Sequence, residues 1–296
     1  MRILVTADLH YDSPRSRGPA QEMAQQILRT GGDALVLVGD CAGAAHQGLR
    51  DCLAMFAEFP GQKFLVPGNH CLWCLAGEDS LHRYEHTVPD IAAGEGFTVL
   101  DHAPARLGSL ALAGSVGWYD YSYRDESLEI PLEFYQAKVA PGAARYLPQH
   151  HRLFETHRHR LHPGHFEITT RWMDGVHARL PMSDLAFLDY LVAKLARQLQ
   201  ELAEDPTVRQ VAAFVHHLPF RRLVPRERPA KLAFAAAYLG SDRLGETLLA
   251  CPKLGWIYCG HSHWPGRCQL GNVEVVNIGS TYLAKRLEIL EVPDSA

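Results

Sequence analysis

The sequence lacks any apolar run that approaches the roughly 18 residues needed for a membrane-spanning helix. The apolar stretch at residues 3–5 is short and leads into polar residues at 8–10, which is not the pattern of a signal peptide. The seven cysteines have no regular spacing, so no disulfide framework is expected. The formal net charge of −4 does not favour nucleic acid or an acidic membrane surface as a general partner. We therefore expect a cytoplasmic protein with no membrane association.

The chain does contain short apolar strands that alternate with helices. Strands are predicted at residues 2–6, 34–38 and 63–66, with helices at 19–29 and 49–59 between them. Strands separated by helices are typical of βαβ units with parallel pairing. Further strands are expected at residues 98–100, 110–113, 208–215, 254–259, 273–278 and 287–290.

Residues 117–205 interrupt this alternation, because they carry little strand signal. A helix is predicted at residues 183–204, where leucines recur along one face and Ser183 is a suitable N-cap. We therefore predict a single domain over residues 1–296, with residues 117–205 as a mainly helical insertion or cap.

Polar clusters of one chemical type follow five of the apolar strands. They are Asp8-Leu9-His10, Gly39-Asp40, Gly68-Asn69-His70, His216-His217 and Gly260-His261-Ser262-His263. Since ligands gather at the carboxyl ends of strands in open α/β sheets, these side chains are expected to meet at one place. Carboxylate, amide and imidazole donors together suit Mn, Fe, Zn, Ni or Co better than Ca or Mg. Seven of these side chains are candidate ligands, and that number suits two ions about 3.5–4 Å apart. They are Asp8, His10, Asp40, Asn69, His216, His261 and His263.

In this order, the clusters resemble the motifs of the calcineurin-like metallophosphoesterases, whose pattern is D-x-H, G-D, G-N-H, H and G-H-x-H. The segment Asn277-Ile-Gly-Ser280 also resembles the N-x-G-S that follows the last metal motif in many members. The resemblance covers roughly residues 1–115 and 206–296. It implies an α/β protein built as a four-layer α/β/β/α sandwich, with a dimetal site at one edge.

The resemblance also implies a role for each motif residue. One metal is expected on Asp8, His10, Asp40 and His263, and the other on Asp40, Asn69, His216 and His261. Asp40 would bridge two divalent or mixed-valence transition-metal ions that activate a bridging hydroxide. His70 would lie near the scissile phosphate and donate a proton to the leaving alcohol, or stabilise negative charge on the phosphoryl oxygens. His217 is the alternative to His216 as a ligand.

One position departs from the family pattern. Members usually have Asp or Glu directly after the histidine of G-N-H, where it orients and charges the imidazole, whereas this chain has Cys71. Another carboxylate must then take over that role if it is kept. Glu78 and Asp79 are the candidates nearest in the sequence.

A basic loop follows the histidine pair and is a candidate for binding the substrate. Its cations are Arg221, Arg222, Arg226, Arg228 and Lys231. Arg221 and Arg222, with His217, are predicted to bind further negative charge on the substrate; a solvated surface loop is the alternative. A DNA-processing nuclease would need a longer basic surface, and a non-catalytic scaffold would be expected to have lost ligands. The sequence thus favours a hydrolase of phosphomonoesters or phosphodiesters with a small phosphorylated substrate, and it leaves the oligomeric state open.

Overall fold

Two mixed β-sheets form the centre of the protein in a computed structural model that describes residues 1–225 and 229–293. The first sheet has the strand order β11-β1-β2-β3-β4, and the second has the order β5-β6-β7-β8-β10-β9. The strands are β1 Arg2–Thr6, β2 Ala34–Val38, β3 Gln62–Val66, β4 Phe97–Val99, β5 Ala105–Leu107, β6 Leu110–Ser115, β7 Gln210–Val215, β8 Leu254–Cys259, β9 Gly266–Leu270, β10 Val273–Asn277 and β11 Glu288–Glu291.

Eleven α-helices in the described ranges accompany these strands. They are α1 Pro14–Thr30, α2 His46–Ala54, α3 Ser80–His82, α4 Val88–Gly94, α5 Leu132–Gln136, α6 Pro141–Ala144, α7 His151–His157, α8 Asp174–His177, α9 Asp184–Glu204, α10 Ala230–Ala235 and α11 Asp242–Leu249. None of the helices in the described part is long and apolar enough to cross a membrane.

The two sheets pack face to face, and helices cover both outer faces. Strands β1 to β4 pair in parallel, as do β6, β7, β8 and β10. Val36 and Val66 of the first sheet share one buried apolar layer with Leu112 and Phe214 of the second. Helices α1, α2 and α4 pack on the other face of the first sheet, and α9 and α11 on that of the second. The predicted four-layer α/β/β/α fold is therefore confirmed.

The predicted elements differ from the observed ones mainly at the ends. Helix α1 begins at Pro14 rather than at residue 19, because proline suits the first helical position, where the N–H has no intrahelical partner. Ser183 caps α9 as predicted, since its Oγ accepts a hydrogen bond from the N–H of Ala186 at 3.2 Å. The sequence reasoning missed β5 and β9, which are short antiparallel strands at the edges of the second sheet.

Residues 117–205 connect the parallel neighbours β6 and β7. They contain α5 to α9 and form an apolar cluster that includes Trp118, Phe134 and Phe187. Tyr238, from the later part of the chain, packs into the same cluster. This segment therefore has hydrophobic packing of its own, which it shares with Tyr238.

Candidate active site

The carboxyl ends of five strands bring the motif residues of the sequence into one cluster. Three overlapping groups each have ligand atoms within 4.8 Å of one another. The groups are Asp8 with His10 and His263, His10 with Asp40 and His70, and Asp40 with His216 and His261. Asn69 joins them, because its Oδ1 lies 3.3 Å from Nε2 of His216. All seven predicted metal ligands and His70 thus meet at one edge of the sandwich.

The backbone at these positions has an uncommon conformation. Five of the motif residues have positive φ angles: Asp8 at 57°, His10 at 42°, Asp40 at 50°, His261 at 68° and His263 at 57°. Non-glycine residues in this region cost on the order of 1–3 kcal/mol each, so the surrounding structure must hold them. Backbone hydrogen bonds from the Asp8 N–H to the Gly39 carbonyl, at 3.0 Å, and from the His10 N–H to the Asp40 carbonyl, at 2.8 Å, join the first two motifs.

The glycines that precede three of the ligands are explained by close approach between motifs. A Cβ at Gly39, which has φ of 84°, would overlap the imidazole of His216. A Cβ at Gly68 would overlap the carboxylate of Asp40, and one at Gly260 would lie 2.6 Å from Oδ2 of Asp8. Each glycine therefore makes room for a ligand that belongs to a different motif.

Asp40 lies at the centre of the cluster and is buried. Its Oδ2 faces Nε2 of His216 at 3.4 Å, of His10 at 3.7 Å and of His70 at 3.8 Å. Burial opposes ionisation of this carboxyl group, but the imidazoles of His70 and His216 outweigh it and hold its pKa well below the ordinary value. For Asp8, burial dominates and raises the pKa. One carboxylate oxygen thus faces imidazoles from both predicted ligand sets.

Backbone carbonyls fix the tautomers of three of the histidines. A carbonyl oxygen only accepts, so the ring nitrogen that faces it carries the hydrogen and leaves the other nitrogen free to bind a metal. The pairs are His216 Nδ1 with the Val38 carbonyl at 3.1 Å, His261 Nε2 with the Tyr238 carbonyl at 3.2 Å, and His263 Nδ1 with the Ser280 carbonyl at 2.7 Å.

The donor set fits transition-metal ions. Nε2 of His10 is buried without a hydrogen-bond partner among the described residues, although it lies next to a carboxylate. A buried, unpartnered imidazole nitrogen is unfavourable in a protein that holds nothing at this point. Nitrogen and oxygen donors together match the preferences of Mn, Fe, Zn, Ni and Co. A cation bound between the groups would satisfy His10 and neutralise the two carboxylates.

Asp174, which the sequence reasoning missed, contacts the cluster from the segment 117–205. Its buried carboxylate accepts hydrogen bonds from Nδ2 of Asn69 at 2.8 Å and from the indole of Trp73 at 2.7 Å, both at Oδ1. Oδ2 accepts from the indole of Trp172 at 2.7 Å and from the hydroxyl of Tyr119 at 3.1 Å. The sequence carries no signal for this contact, because Asp174 lies outside every recognised motif.

His70 is partly exposed, as is His263, and its ring stacks on Trp73 with 3.6 Å between ring centroids. The neighbouring Cys71 is fully buried, and burial raises the pKa of its thiol to about 12, so it is not a charged partner. The two candidate replacements are engaged elsewhere: Glu78 pairs with His46 at 2.7 Å, and Asp79 caps the helix α3. Besides Asp40, which faces the His70 ring directly, the carboxylate of Asp174 is linked to His70 indirectly, through the indole of Trp73.

A cavity of about 550 Å³ opens above the cluster. Its floor includes Asp40, Asn69 and His70. Its walls are aromatic, apolar and basic side chains: Trp73, Arg171, Trp172, Met173, Lys231, Leu232, Ala235 and Tyr282. Tyr282 also stacks on His10, with ring centroids 4.5 Å apart. The cavity can therefore admit a small molecule directly onto the predicted metal ligands.

The three residues predicted to bind substrate lie elsewhere. Arg221 and Arg222 line a separate cavity, because the chain turns away after the histidine pair and buries Leu223 in the core of the second sheet. His217 is fully buried behind His261, with ring centroids 4.2 Å apart. Burial lowers the pKa of His217 to about 3, so its ring is neutral. Of the histidine pair, His216 is the member in the cluster.

The other cations of the predicted basic loop divide into two groups. Arg226 and Arg228 lie outside the described residues. Lys231 does line the cavity above the cluster, at the start of α10. Arg171, which was not predicted, lines the same cavity from the segment 117–205.

The fold and the donor set together define a class, the metal-dependent phosphoesterases. The sequence model of the calcineurin-like phosphoesterase family matches residues 1–265, and the chain belongs to this family. It is accordingly a hydrolase, a metallophosphoesterase with a metal-binding active site. No curated protein matches the chain.

Solved structures show the same fold at low sequence identity. The phosphopantetheinyl hydrolase PptH from Mycobacterium tuberculosis is 15% identical, with a TM-score of 0.64 over 93% of this chain and 88% of that one. The protein TT1561 of Thermus thermophilus is 13% identical, with a TM-score of 0.51 over 94% of this chain and 88% of that one. These similarities support the assignment of the fold.

Proposed function

We propose that the protein hydrolyses phosphomonoesters or phosphodiesters of a small anionic substrate, with two transition-metal ions on the clustered residues. The observation that supports this most directly is the position of Asp40. Its Oδ2 faces His216 of one predicted ligand set and His10 of the other, at the floor of an open cavity. A bridging carboxylate between two ions needs this arrangement.

The ligand sets in this proposal are those that the motifs imply. Asp8, His10, Asp40 and His263 hold one ion, and Asp40, Asn69, His216 and His261 hold the other. When bound, the two ions supply positive charge for the phosphate oxygens and lower the pKa of water. His70 lines the cavity beside Asp40 and is placed to give a proton to the leaving-group oxygen. Trp73 holds the His70 ring by stacking.

The cavity walls favour a substrate that carries further negative charge. Arg171 and Lys231 line it, and neither makes an ion pair with an acid in the described part of the chain. The hydroxyl of Thr170 donates to the Lys231 carbonyl at 3.0 Å, which joins the segment that carries Arg171 to α10. Two cations that pair with no acid among the described residues and lie beside a metal cluster are suited to a second anionic group.

We also propose that residues 117–205 are a cap within a single domain of residues 1–296, since they contribute Arg171, Trp172 and Asp174 to the cavity. A cytoplasmic location fits the cysteines, all seven of which are free.

The test is hydrolysis of para-nitrophenyl phosphate and bis-para-nitrophenyl phosphate by metal-stripped protein, with Mn, Zn, Ni, Co and Mg each added back singly. We expect turnover that depends on the metal and is lost in Asp40→Asn. The matched control is Asp184→Asn, because Asp184 is also a buried carboxylate but lies outside the cluster. Absence of turnover with every metal would refute the proposal, and manganese-dependent degradation of linear DNA at comparable rates would refute the small-substrate part of it.

A further inference from the structure

The carboxylate of Asp174 is saturated by neutral donors. A carboxylate has room for about four hydrogen bonds, and Asp174 accepts four from side chains, two at each oxygen. No lysine or arginine pairs with it among the described residues, although it is only 1% exposed. A buried carboxylate is expensive to keep without a cation, so its retention needs an explanation beyond packing.

One of the four donors is a predicted metal ligand. Nδ2 of Asn69 donates to Oδ1 of Asp174 at 2.8 Å, and Oδ1 of Asn69 lies 3.3 Å from Nε2 of His216. Because a carboxylate only accepts, the amide atom that faces it must be the nitrogen. The amide oxygen, which is the atom that binds a metal, is thereby directed to the cluster.

A second donor reaches the cluster by another route. The indole of Trp73 donates to the same Oδ1 at 2.7 Å, and its ring lies against His70. The residue after His70 is the neutral Cys71, so the second carboxylate near His70, besides Asp40, comes from the segment 117–205 rather than from the position after the histidine.

We propose that Asp174 is a positioning residue of the metal centre: it fixes the amide of Asn69 with its oxygen toward the metals, and it anchors Trp73 beside His70. This inference rests on the proposed function, since it takes Asn69 to be a ligand. Its consequence is that the cap contributes directly to metal affinity. Partners of this kind typically change metal affinity or activity by about 10- to 100-fold when removed.

The experiment compares Mn²⁺ binding to metal-stripped wild type, Asp174→Asn and Asp184→Asn by isothermal titration calorimetry. Asp184 is a close match, because it is a buried carboxylate in the same segment that accepts from the indole of Trp118 and the hydroxyl of Tyr121, and pairs with Lys138. We expect Asp174→Asn to raise the dissociation constant by about 10- to 100-fold. Asp184→Asn is expected to lower thermal stability and leave metal affinity unchanged.

The outcomes separate this inference from the function on which it rests. Wild type that binds no metal would overturn the proposed function itself. Equal metal affinity in wild type and Asp174→Asn would overturn only the role of Asp174, provided that circular dichroism shows the variant to be folded. If Asp174→Asn does not fold, a crystal structure of the metal-loaded wild type decides. The role is supported if the Asn69 amide donates from Nδ2 to Asp174 and binds a metal ion through Oδ1. It is overturned if the amide is turned away from Asp174.

Discussion

Asp101 offers a quantitative test of the structure away from the active site. It follows β4 and is buried, where Oδ1 accepts hydrogen bonds from the N–H of Val116 at 2.6 Å and from the hydroxyl of Tyr84 at 3.1 Å. Oδ2 has no hydrogen-bond partner among the described residues. Burial raises the pKa of this carboxyl group from 3.8 to about 7, although Lys194 and the two hydrogen bonds act against the shift.

The sign of the resulting pH dependence follows from linkage. The folded protein holds the proton more tightly than the unfolded chain, so proton binding stabilises the folded state. This contribution is fully present below pH 3.8 and is lost as the pH rises through about 7. Its full size is about 4 kcal/mol at 1.36 kcal/mol per pKa unit. Between pH 5 and pH 8 the loss is about 2.5 kcal/mol.

Asp101→Asn should remove this dependence, because an amide stays neutral and keeps one oxygen for Val116 and Tyr84. The measurement is urea unfolding of metal-stripped wild type and variant at pH 5 and pH 8. The variant should gain about 2.5 kcal/mol relative to wild type between the two pH values, while other titrating groups cancel in the difference. Parallel stability curves for the two proteins would show that Asp101 is ionised in the folded state at pH 5, and would refute the assigned burial effect.

Two further predictions concern the active site. Arg171→Gln should raise KM for a substrate with a second anionic group by about three- to tenfold, without changing kcat for para-nitrophenyl phosphate. Arg221→Gln, in the separate cavity, should change neither constant. Equal effects of the two substitutions would contradict the assigned cavity. Gly39→Ala should abolish metal binding, measured by calorimetry, and destabilise the fold by more than about 2 kcal/mol, because a Cβ at this φ of 84° would overlap His216. Gly255→Ala is the control, since a Cβ there has open space and metal binding should be normal. A Gly39→Ala variant that still binds metal would refute the overlap.

The motifs and their strands could be predicted because local sequence determines both. Ala34–Val38 is a continuous apolar strand that is buried along its whole length, and Gly39-Asp40 follows it directly. Parallel pairing then brings the strand ends to one edge, so chain order is sufficient to predict that distant motifs meet. The short edge strands β5 and β9 were missed because their exposed residues weaken the apolar signal.

The residues that line the cavity above the cluster could not be predicted for a different reason. Proximity in sequence to His217 suggested Arg221 and Arg222, but burial of Leu223 redirects that loop into another cavity. Arg171 and Asp174 reach the site through the tertiary packing of residues 117–205, which no local pattern encodes. Asn69 and Asp174 are 105 residues apart in the chain and form one hydrogen bond.

The sandwich and the segment 117–205 contribute different residues to the site, which affects how substitutions can alter substrate preference. The sandwich supplies the predicted metal ligands, and their backbone is held by contacts between motifs, as the overlap of a Gly39 Cβ with His216 shows. The segment 117–205 supplies Arg171 to the cavity wall and Asp174 as a hydrogen-bond partner of Asn69. Arg171 and Asp174 lie three positions apart in the sequence. Under the proposed role of Asp174, the first contacts the substrate and the second orients a metal ligand. Replacing or shifting the whole segment would then alter both the cavity wall and the orientation of Asn69, so substrate preference and metal affinity should vary together, whereas Arg171→Gln alone should leave metal affinity unchanged.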